Sequence, residues 1–268
     1  MITQVYLTND DGFDAPGLLA SWEAVEIVWP NLARVVAPHQ CFSAKSHATT
    51  THPDSLLEVR DLEHPTMKGV IVEGYPADCV RVGCRGLEEA REGRPLWVAG
   101  INPGGNLGID IYYSGTVAAA REAAALGCPA VSLSVYKQKR VDIDWESVTQ
   151  WAVEVLRVLK PRLEESPSTL WNVNMAGLDK GSAMPEIQFV PASTDPLDVA
   201  FTQNENNGTR RFTYSGCYQD RPRKRGTDVD VVLSGGIAVT PMRLDVTDES
   251  LLDTLRLSHP NGRNKPEE

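Results

Sequence analysis

The sequence predicts an α/β fold with a doubly wound, mainly parallel sheet, and two observations support that prediction. Short apolar runs rich in Val, Leu and Ile recur along the first half of the chain, as in strands buried on both faces. Segments with helical spacing separate these runs, which gives the order of βαβ units. In such sheets, ligands bind beyond the carboxyl ends of the strands.

The elements of this core alternate from the N-terminus onward. Helix starts are indicated by Pro16 and Pro76, and a helix end by Gly127. The predicted strands cover residues 5–7, 32–37, 69–73, 96–99 and 130–135, and the predicted helices between them cover residues 16–28, 76–84 and 115–126.

The second half of the chain contains longer polar stretches between its apolar segments than the first half. Apolar residues at helical spacing predict a helix over 144–159, and "TLWNVNM" predicts a strand within 169–184. The polar stretch 193–225 favours a β-hairpin arm. Residues 228–242 predict two more strands, and 261–268 predict a frayed tail. We expect one domain over 1–268, with a core over about 1–190 and the hairpin arm and C-terminal segment over about 191–268.

Composition limits the possible partners. The 268 residues carry a net charge of −10 with a pI near 5.1, which argues against nonspecific binding to nucleic-acid duplexes or anionic membranes. We find no signal-peptide pattern and no apolar run of about 18 residues, so we expect a cytoplasmic protein without a membrane span. The odd set of five cysteines lacks metal-binding spacing and predicts buried free thiols; they are Cys41, Cys79, Cys84, Cys128 and Cys217.

The stretch "TNDDG" places two adjacent carboxylates, Asp10 and Asp11, directly after the first predicted strand. Gly12 permits a bend that turns both toward one point. Converging carboxylates repel unless a divalent cation neutralises them, and oxygen ligands suit Mg²⁺, Mn²⁺ or Ca²⁺. The alternative is an Asx turn that caps the following helix, for which Asn9 or Asp14 would serve equally well.

Within the stretch 100–127, a glycine-rich loop precedes an alanine-rich helix, and Ser114, Gly115 and Thr116 introduce that helix. Hydroxyls and free N–H groups at a helix N-terminus favour an anion such as phosphate. The loop is not a Walker motif, because no Gly-Lys-Ser/Thr follows its glycines. The alternative is ordinary helix capping by Ser114 or Thr116.

Five segments resemble the SurE family of stationary-phase survival proteins in order and spacing. They are "LTNDDGFDAPGL", "VVAPHQCFSAKS", "EGYPADCVRVG", "GINPGGNLGIDIYYSGTVAAAREAAALGCPAVSLS" and "GTDVDVVLSGGIAVTP". The resemblance runs through most of 1–136, returns near 227–241 and is loose between them. It implies a Rossmann-like three-layer core with a protruding β-hairpin and a C-terminal oligomerisation segment, assembled as a homodimer or homotetramer.

The function implied by this resemblance is a metal-dependent phosphomonoesterase, a 5′/3′-nucleotidase that acts on nucleoside monophosphates. It implies one divalent ion per subunit, Mg²⁺ or Mn²⁺, with Asp10 and Asp11 as both metal ligands and catalytic residues. By matching position, the implied metal ligands are Asp10, Asp11, Ser43 and Asn102, and the implied phosphate-binding residues are Asn106, Ser114, Gly115 and Thr116.

Two departures from the family pattern lie close to Ser43. The chain has His39 where the family usually has aspartate, and Ala44 where it usually has glycine. Alanine adopts glycine-only backbone angles less freely, so the geometry of this loop is a question for the structure. Two other functions stay open at this point, a nucleotide-binding regulator without catalysis and a nucleotide phosphotransferase. The attacking group also stays open between metal-bound water, which we favour, and an aspartate.

Overall fold

The structure is a computed structural model, and it describes residues 2–87, 93–137, 142–165, 169–196, 199–216 and 218–258. The helices found there are α1 (Pro16–Val28), α2 (Pro76–Arg81), α3 (Gly115–Ala125), α4 (Trp145–Glu165), α5 (Asp228–Leu233) and α6 (Glu249–Ser258). The strands found there are β1 (Gln4–Thr8), β2 (Ala33–Pro38), β3 (Val59–Asp61), β4 (Gly69–Val72), β5 (Pro95–Asn102), β6 (Ala130–Tyr136), β7 (Leu170–Ala176), β8 (Ile187–Phe189), β9 (Phe201–Asn206), β10 (Thr209–Tyr214) and β11 (Ile237–Met242).

The main sheet has the strand order β3, β4, β2, β1, β5, β6, β7, β11, β8. All neighbours from β4 to β7 run parallel, whereas β3 pairs antiparallel with β4 and β11 antiparallel with β7. The predicted α/β class with a mainly parallel sheet is therefore confirmed. The central strands β1, β6 and β7 are almost wholly buried because helices cover both faces of the sheet.

The chain order of the strands reverses at β1. From β1 the chain moves outward to β2 and β4 on one side, and it then returns to β5 on the other side of β1. Residues Thr8 of β1 and Ala99 of β5 lie directly opposite each other in this pair. A crevice forms at such a reversal, outside the carboxyl ends of the strands, and it is where ligands bind in open α/β sheets.

The helices form a layer on each side of the sheet. Helices α1 and α4 pack together over one face, where Leu18, Trp151 and Leu156 are buried among strand residues. Helices α2 and α3 cover the other face. On that face α3 contributes mainly alanine side chains, including Ala119 and Ala123, which let the helix lie close to the strands.

Most predicted elements are found near their predicted places. Helix α1 has the predicted limits, and α3 ends one residue before its predicted end. The single helix predicted over 76–84 is found as two pieces, α2 and a π-helical turn over Val82–Gly86. Two short edge strands, β3 and β8, and helix α6 were not predicted. Within the described residues, every helix is too short or too polar to cross a membrane.

The predicted strand at the start of 228–242 is wrong, because this segment forms helix α5. The Asp228 carboxylate accepts hydrogen bonds from the backbone N–H groups of Gly108 at 2.7 Å, Ser193 at 2.8 Å and Val229 at 2.8 Å. These donors lie on separate parts of the chain, so long-range contacts favour the helix start at Asp228. The alternation of Asp and Val suits a strand locally and gives no sign of these contacts.

The predicted end of the core near residue 190 is also too early. Strand β11 pairs along its length with β7 in the main sheet, and Ile237 and Val239 are completely buried. Helix α5 buries Val229 and Val232 in the same region. This segment therefore completes the core of its own chain and does not need a second subunit to cover it.

The predicted hairpin is present as β9 and β10, which form a separate two-stranded antiparallel sheet. Its residues are exposed throughout, including an aromatic cluster in which the Phe201 ring centroid lies 5.7 Å from that of Tyr214 and 6.5 Å from that of Phe212. Helix α6 exposes Leu251 and Leu257. The role of these parts in assembly stays a prediction, and the predicted tail over 261–268 lies outside the described residues.

Candidate active site

Asp10 and Asp11 lie where β1 ends, at the crevice between β1 and β5. The turn after them is closed by Asn9, whose side chain donates to the Gly12 carbonyl at 2.7 Å and accepts from the Gly12 N–H at 3.2 Å. Gly12 has a φ of +110°, which favours glycine. Because Asn9 makes the turn and Ala15 is the N-cap of α1, neither Asp10 nor Asp11 is needed to cap that helix.

The Asp10 carboxylate faces the N-terminus of α3. Its Oδ1 accepts a hydrogen bond from the Thr116 hydroxyl at 2.5 Å, and the backbone N–H groups of Gly115 and Thr116 also interact with it. A Cβ atom at Gly115 would lie only 2.8 Å from Asp10 Cβ and Oδ2, so the glycine allows this close approach. Burial raises the pKa of Asp10, and these hydrogen bonds act in the opposite direction.

Asp11 differs from Asp10 because, in the part of the chain that the structure describes, hydrogen-bond donors do not surround its carboxylate. Its Oδ2 atom is buried and has no hydrogen-bond partner among the described residues. Burial, together with the negative charge of Asp10, raises the pKa of Asp11 to about 7. A buried carboxylate oxygen without a donor is unfavourable, and a cation at this point would satisfy it.

Ser43 is brought to this region by the loop after β2. The Phe42 N–H donates to the Asp10 carbonyl at 2.7 Å, which ties the backbone next to Ser43 to the loop that follows β1. The Ser43 side chain is exposed, and its Oγ lies 3.1 Å from Cys41 Sγ. Ala44 has a φ of +57°, so alanine occupies a left-handed conformation at the position where the family usually has glycine.

Asn102 is the last residue of β5, the neighbour of β1 in the sheet. Its Nδ2 donates to the Gly104 carbonyl at 2.7 Å, which leaves the amide oxygen as an acceptor or metal ligand. The described residues hold no cluster of three or more His, Cys, Asp or Glu side chains able to bind a metal. A metal centre at this edge would therefore combine the two aspartates with neutral oxygens, such as those of Ser43 and Asn102.

The residues with an implied role in phosphate binding differ in what their polar groups contact within the chain. Ser114 is the N-cap of α3, and its Oγ accepts from the Val117 N–H at 3.0 Å, which is the capping role left open by the sequence. Asn106 is buried, and its Nδ2 donates to Ser134 Oγ at 2.7 Å. Its backbone N–H donates to Asn174 Oδ1 at 2.7 Å. Contacts of these residues with phosphate stay predictions.

Side chains that sequence reasoning missed hold the loop of Ser43 in place. Ser46 Oγ donates to the Tyr112 carbonyl at 2.6 Å, and the Thr50 hydroxyl donates to Asp78 Oδ2 at 2.8 Å. His47 Nε2 lies 2.7 Å from Glu122 Oε2. These three contacts fix the loop to the segment before α3, to α2 and to α3.

Glu122 is the central residue of the strongest of these anchors. It is only 6% exposed, and its other oxygen, Oε1, accepts from Arg81 Nε at 2.6 Å. The hydrogen bond with His47 and the contacts with Arg81 lower the pKa of Glu122 despite its burial. One signal was available in the sequence, since Arg121 and Glu122 are the two charged residues of a helix rich in alanine.

Comparisons with known proteins agree on one family. The family described as "Survival protein SurE" matches residues 5–195. A protein from Synechocystis sp. is 42% identical over 241 residues, which cover 89% of this chain and 98% of that protein. The "5′-nucleotidase SurE" of Heliobacterium modesticaldum is 34% identical over 254 residues, or 93% of this chain and 89% of that protein. The crystal structure of the SurE protein from Aquifex aeolicus superposes with a TM-score of 0.80 at 29% identity, covering 96% of this chain and 99% of that one.

Proposed function

The chain belongs to the SurE family, and from this premise we propose that it is a metal-dependent nucleotidase that hydrolyses nucleoside 5′- and 3′-monophosphates. The relatives named 5′-nucleotidase SurE support the 5′-nucleotidase activity, because they match this chain over nearly its full length. Metal dependence goes beyond those names and is argued from the site below, and activity toward 3′-monophosphates is carried over from the family resemblance alone.

The observation that carries the metal dependence is the unequal support of two adjacent carboxylates. Asp10 is surrounded by donors from α3, whereas the buried Asp11 Oδ2 has no donor within the described residues. Two neighbouring carboxylates at one edge of a sheet, one of them without a partner, suit a hard divalent cation such as Mg²⁺ or Mn²⁺.

Four oxygen-bearing side chains would hold the ion, one ion in each subunit. Asp10 and Asp11 would supply the negative charge, Ser43 a neutral oxygen from the loop after β2, and Asn102 a neutral oxygen from the end of β5. When bound, such an ion neutralises charge on the phosphoryl oxygens and increases the acidity of a water molecule. The hydrogen bond from Thr116 orients Asp10 for this role, as the partners of metal ligands generally do.

The N-terminus of α3 supplies the second half of the proposed site. Its dipole and its first N–H groups favour an anion, and the close approach allowed by Gly115 places them beside Asp10. The hydroxyls of Ser114 and Thr116 add further polar groups, and Asn106 adds an amide. The net charge of the chain repels anions, so this local arrangement is required to hold a phosphate monoester.

Release of inorganic phosphate from 5′-AMP and 3′-AMP by the purified chain tests this proposal. We expect turnover of both substrates with Mg²⁺ or Mn²⁺, none after removal of metal by a chelator, and recovery when the metal is restored. Full activity after exhaustive chelation would contradict the metal site. Binding of AMP without phosphate release would indicate a nucleotide-binding regulator, and transfer of phosphate to an added nucleoside would indicate a phosphotransferase.

We also propose that the protein assembles as a homodimer or homotetramer. The supporting observation is the exposed hairpin of β9 and β10, which presents Phe201, Phe212 and Tyr214 to solvent, together with exposed leucines on α6. Exposed apolar groups of this size are typical of contact surfaces. Light scattering of the full chain at several concentrations measures the mass, and a single-chain mass throughout would contradict this proposal.

A further inference from the structure

At the edge of the sheet opposite the candidate active site, two cysteines lie close together. Cys84 belongs to the π-helical turn after α2, and Cys128 lies between α3 and β6. Their Sγ atoms are 3.9 Å apart, although the residues are 44 positions apart in the sequence. We propose that Cys84 and Cys128 form a redox-active dithiol that hydrogen peroxide converts into an intramolecular disulfide.

A cation lies beside this pair. Arg85 donates from Nη1 to the Cys84 carbonyl at 3.2 Å and from Nη2 to the Leu126 carbonyl at 3.3 Å. Its guanidinium group therefore bridges the two chain segments that carry the thiols. A fixed positive charge next to a cysteine stabilises the thiolate, which is the form that reacts with peroxide.

The two thiols are not equivalent. Donation of the S–H group of Cys84 to Cys128, together with the charge of Arg85, lowers the pKa of the Cys128 thiol. The same hydrogen bond, together with burial, raises the pKa of Cys84. Cys128 is also the more exposed of the two, at 7% against 3% for Cys84, so we assign Cys128 as the sulfur that reacts first and Cys84 as the resolving thiol.

A cavity gives small molecules access to both sulfurs. It has a volume of about 460 Å³, and Cys84, Arg85, Arg94, Leu126, Gly127 and Cys128 contribute to its wall. A water molecule occupies about 30 Å³ in the liquid, so hydrogen peroxide fits without displacing protein atoms. Cys79 provides a contrast, since it is completely buried in the core and burial raises the pKa of its thiol.

The chemistry proceeds in two balanced steps. The Cys128 thiolate attacks one oxygen of hydrogen peroxide, the O–O bond breaks, and the products after proton transfer are a sulfenic acid and one water. The Cys84 sulfur then attacks the sulfenic sulfur, the S–O bond breaks, and a second water leaves with the proton of the Cys84 thiol. In total, two thiols and one peroxide give one disulfide and two waters, and the two electrons lost by sulfur reduce the peroxide.

The local backbone can accommodate the new bond. The sulfurs must approach from 3.9 Å to about 2.05 Å, the length of a disulfide bond. Cys128 follows Gly127, which has a φ of +85° and has open space where a side chain would be. Cys84 lies in a single π-helical turn and not within a long regular helix, so a small shift of either residue leaves the sheet intact.

The test is a peptide map of the full chain after brief exposure to a small molar excess of hydrogen peroxide. Remaining thiols are alkylated, and the protein is digested with trypsin without reductant. We expect peptide 82–85 joined to peptide 122–137, with a mass two hydrogens below the sum of the two and with loss of the species on reduction. Peptide 69–81, which contains Cys79, serves as the internal control and should stay alkylated.

Two variants separate the roles of the sulfurs. Cys84→Ser should leave a sulfenic acid on Cys128 that dimedone captures, and Cys128→Ser should leave Cys84 fully alkylated after peroxide. The map of the unsubstituted chain decides the proposal even if a variant does not fold. Alkylation of both Cys84 and Cys128 after peroxide would overturn it, as would their oxidation to sulfinic acid without a cross-link, or a cross-link of either one to another cysteine.

Discussion

Three of the four implied metal ligands lie on two loops, which are supported in different ways, and the fourth, Asn102, ends β5. The β1 loop (residues 9–15) is short and closed by its own Asn9, and its Asp10 is buried against α3. The β2 loop (residues 39–58) is longer, largely exposed, and held by side chains that reach other elements. Asp10 is therefore part of the packed core, whereas Ser43 depends on side-chain contacts of its exposed loop with other elements.

Substitutions in the two loops should therefore act in different ways. A substitution of Asp10 or Asp11 in the β1 loop changes the negative charge of the proposed metal site, and at Asp10 it also changes the contact with the N-terminus of α3. A substitution in the β2 loop acts through anchors such as Glu122, and the loop holds Ala44 in a conformation that costs an alanine free energy. The departures from the family pattern that we noted near Ser43 lie in this second loop.

The largest expected effect is that of Asp11→Asn in the β1 loop. The change is nearly isosteric but removes a negative charge from the proposed metal site. If the ion contributes about 4 kcal/mol to transition-state stabilisation, turnover falls by about 10³-fold. Turnover of AMP and calorimetric affinity for Mn²⁺ measure the effect.

The matched control for this prediction is Asp14→Asn. Asp14 lies in the same loop but is exposed, so its amide variant should keep turnover and metal affinity within about twofold, since surface substitutions change free energies by less than about 0.5 kcal/mol. Equal turnover for Asp11→Asn and Asp14→Asn would mean that the β1 loop does not supply the charge of the site.

The next effect concerns the anchor of the β2 loop. Glu122→Gln removes the charge that accepts from Arg81 at 2.6 Å and pairs with His47 at 2.7 Å, and we expect a loss of about 2–3 kcal/mol in the free energy of unfolding at pH 7. Urea unfolding measures it. Glu23→Gln, at an exposed position of α1, is the control and should change the free energy of unfolding by less than about 0.5 kcal/mol.

The pH dependence of that loss follows from the direction of the Glu122 pKa. The partners lower this pKa in the folded state, so the unfolded chain binds more protons in acid. The stabilisation by Glu122 is complete above its unfolded pKa, near 4.3, and disappears as the pH falls through the folded value. The difference between wild type and Glu122→Gln should therefore be full at pH 7 and shrink below about pH 4. A difference that grows in acid would contradict the ion pair.

A smaller effect tests how Asp10 is held. Thr116→Val removes the hydroxyl that donates to Asp10 Oδ1, and loss of such a partner of a metal ligand lowers metal affinity or activity by about 10- to 100-fold. Thr116→Ser keeps the hydroxyl and should retain most of both. If turnover falls while Mn²⁺ affinity is unchanged, Thr116 acts on phosphate and not on Asp10.

Much of the fold could be predicted because local patterns determine it. Helix α1 begins at a proline and the parallel strands are continuous apolar runs, and both signals lie within a few residues. Helix α5 could not be predicted, because the donors to Asp228 come from Gly108 and Ser193, far away in the sequence. Local alternation favoured a strand, and tertiary contacts outweighed it.

The residues of the candidate site could likewise be predicted only where a local sequence pattern indicated them. Asp10 and Asp11 were accessible to chemical reasoning, since adjacent carboxylates after a strand require a partner. Ser43 and Asn102 came only from the family resemblance. Glu122 was missed, because a single glutamate in an alanine-rich helix looks like a solvated side chain until the loop that covers it is known.

The smallest expected effect is a gain in stability from Ala44→Gly in the β2 loop. A left-handed conformation costs an L-residue about 1–2 kcal/mol, and Ala44 has a φ of +57°. Glycine avoids this cost but loses about 0.4–1 kcal/mol through its greater freedom in the unfolded chain. We therefore expect a net increase of about 0.5–1 kcal/mol in the free energy of unfolding.

Ala48→Gly in the same loop is the matched control, because Ala48 does not have a positive φ. No backbone strain is relieved at Ala48, so the greater freedom of the unfolded chain should cost the variant about 0.4–1 kcal/mol in the free energy of unfolding. Urea unfolding of both variants compares the two positions directly. Changes of opposite sign in the free energy of unfolding would support backbone strain at Ala44. The β2 loop would then position Ser43 despite an unfavourable backbone conformation at the next residue. An equal loss at both positions would mean that Ala44 is unstrained, and the contrast between the two loops would rest on the anchors alone.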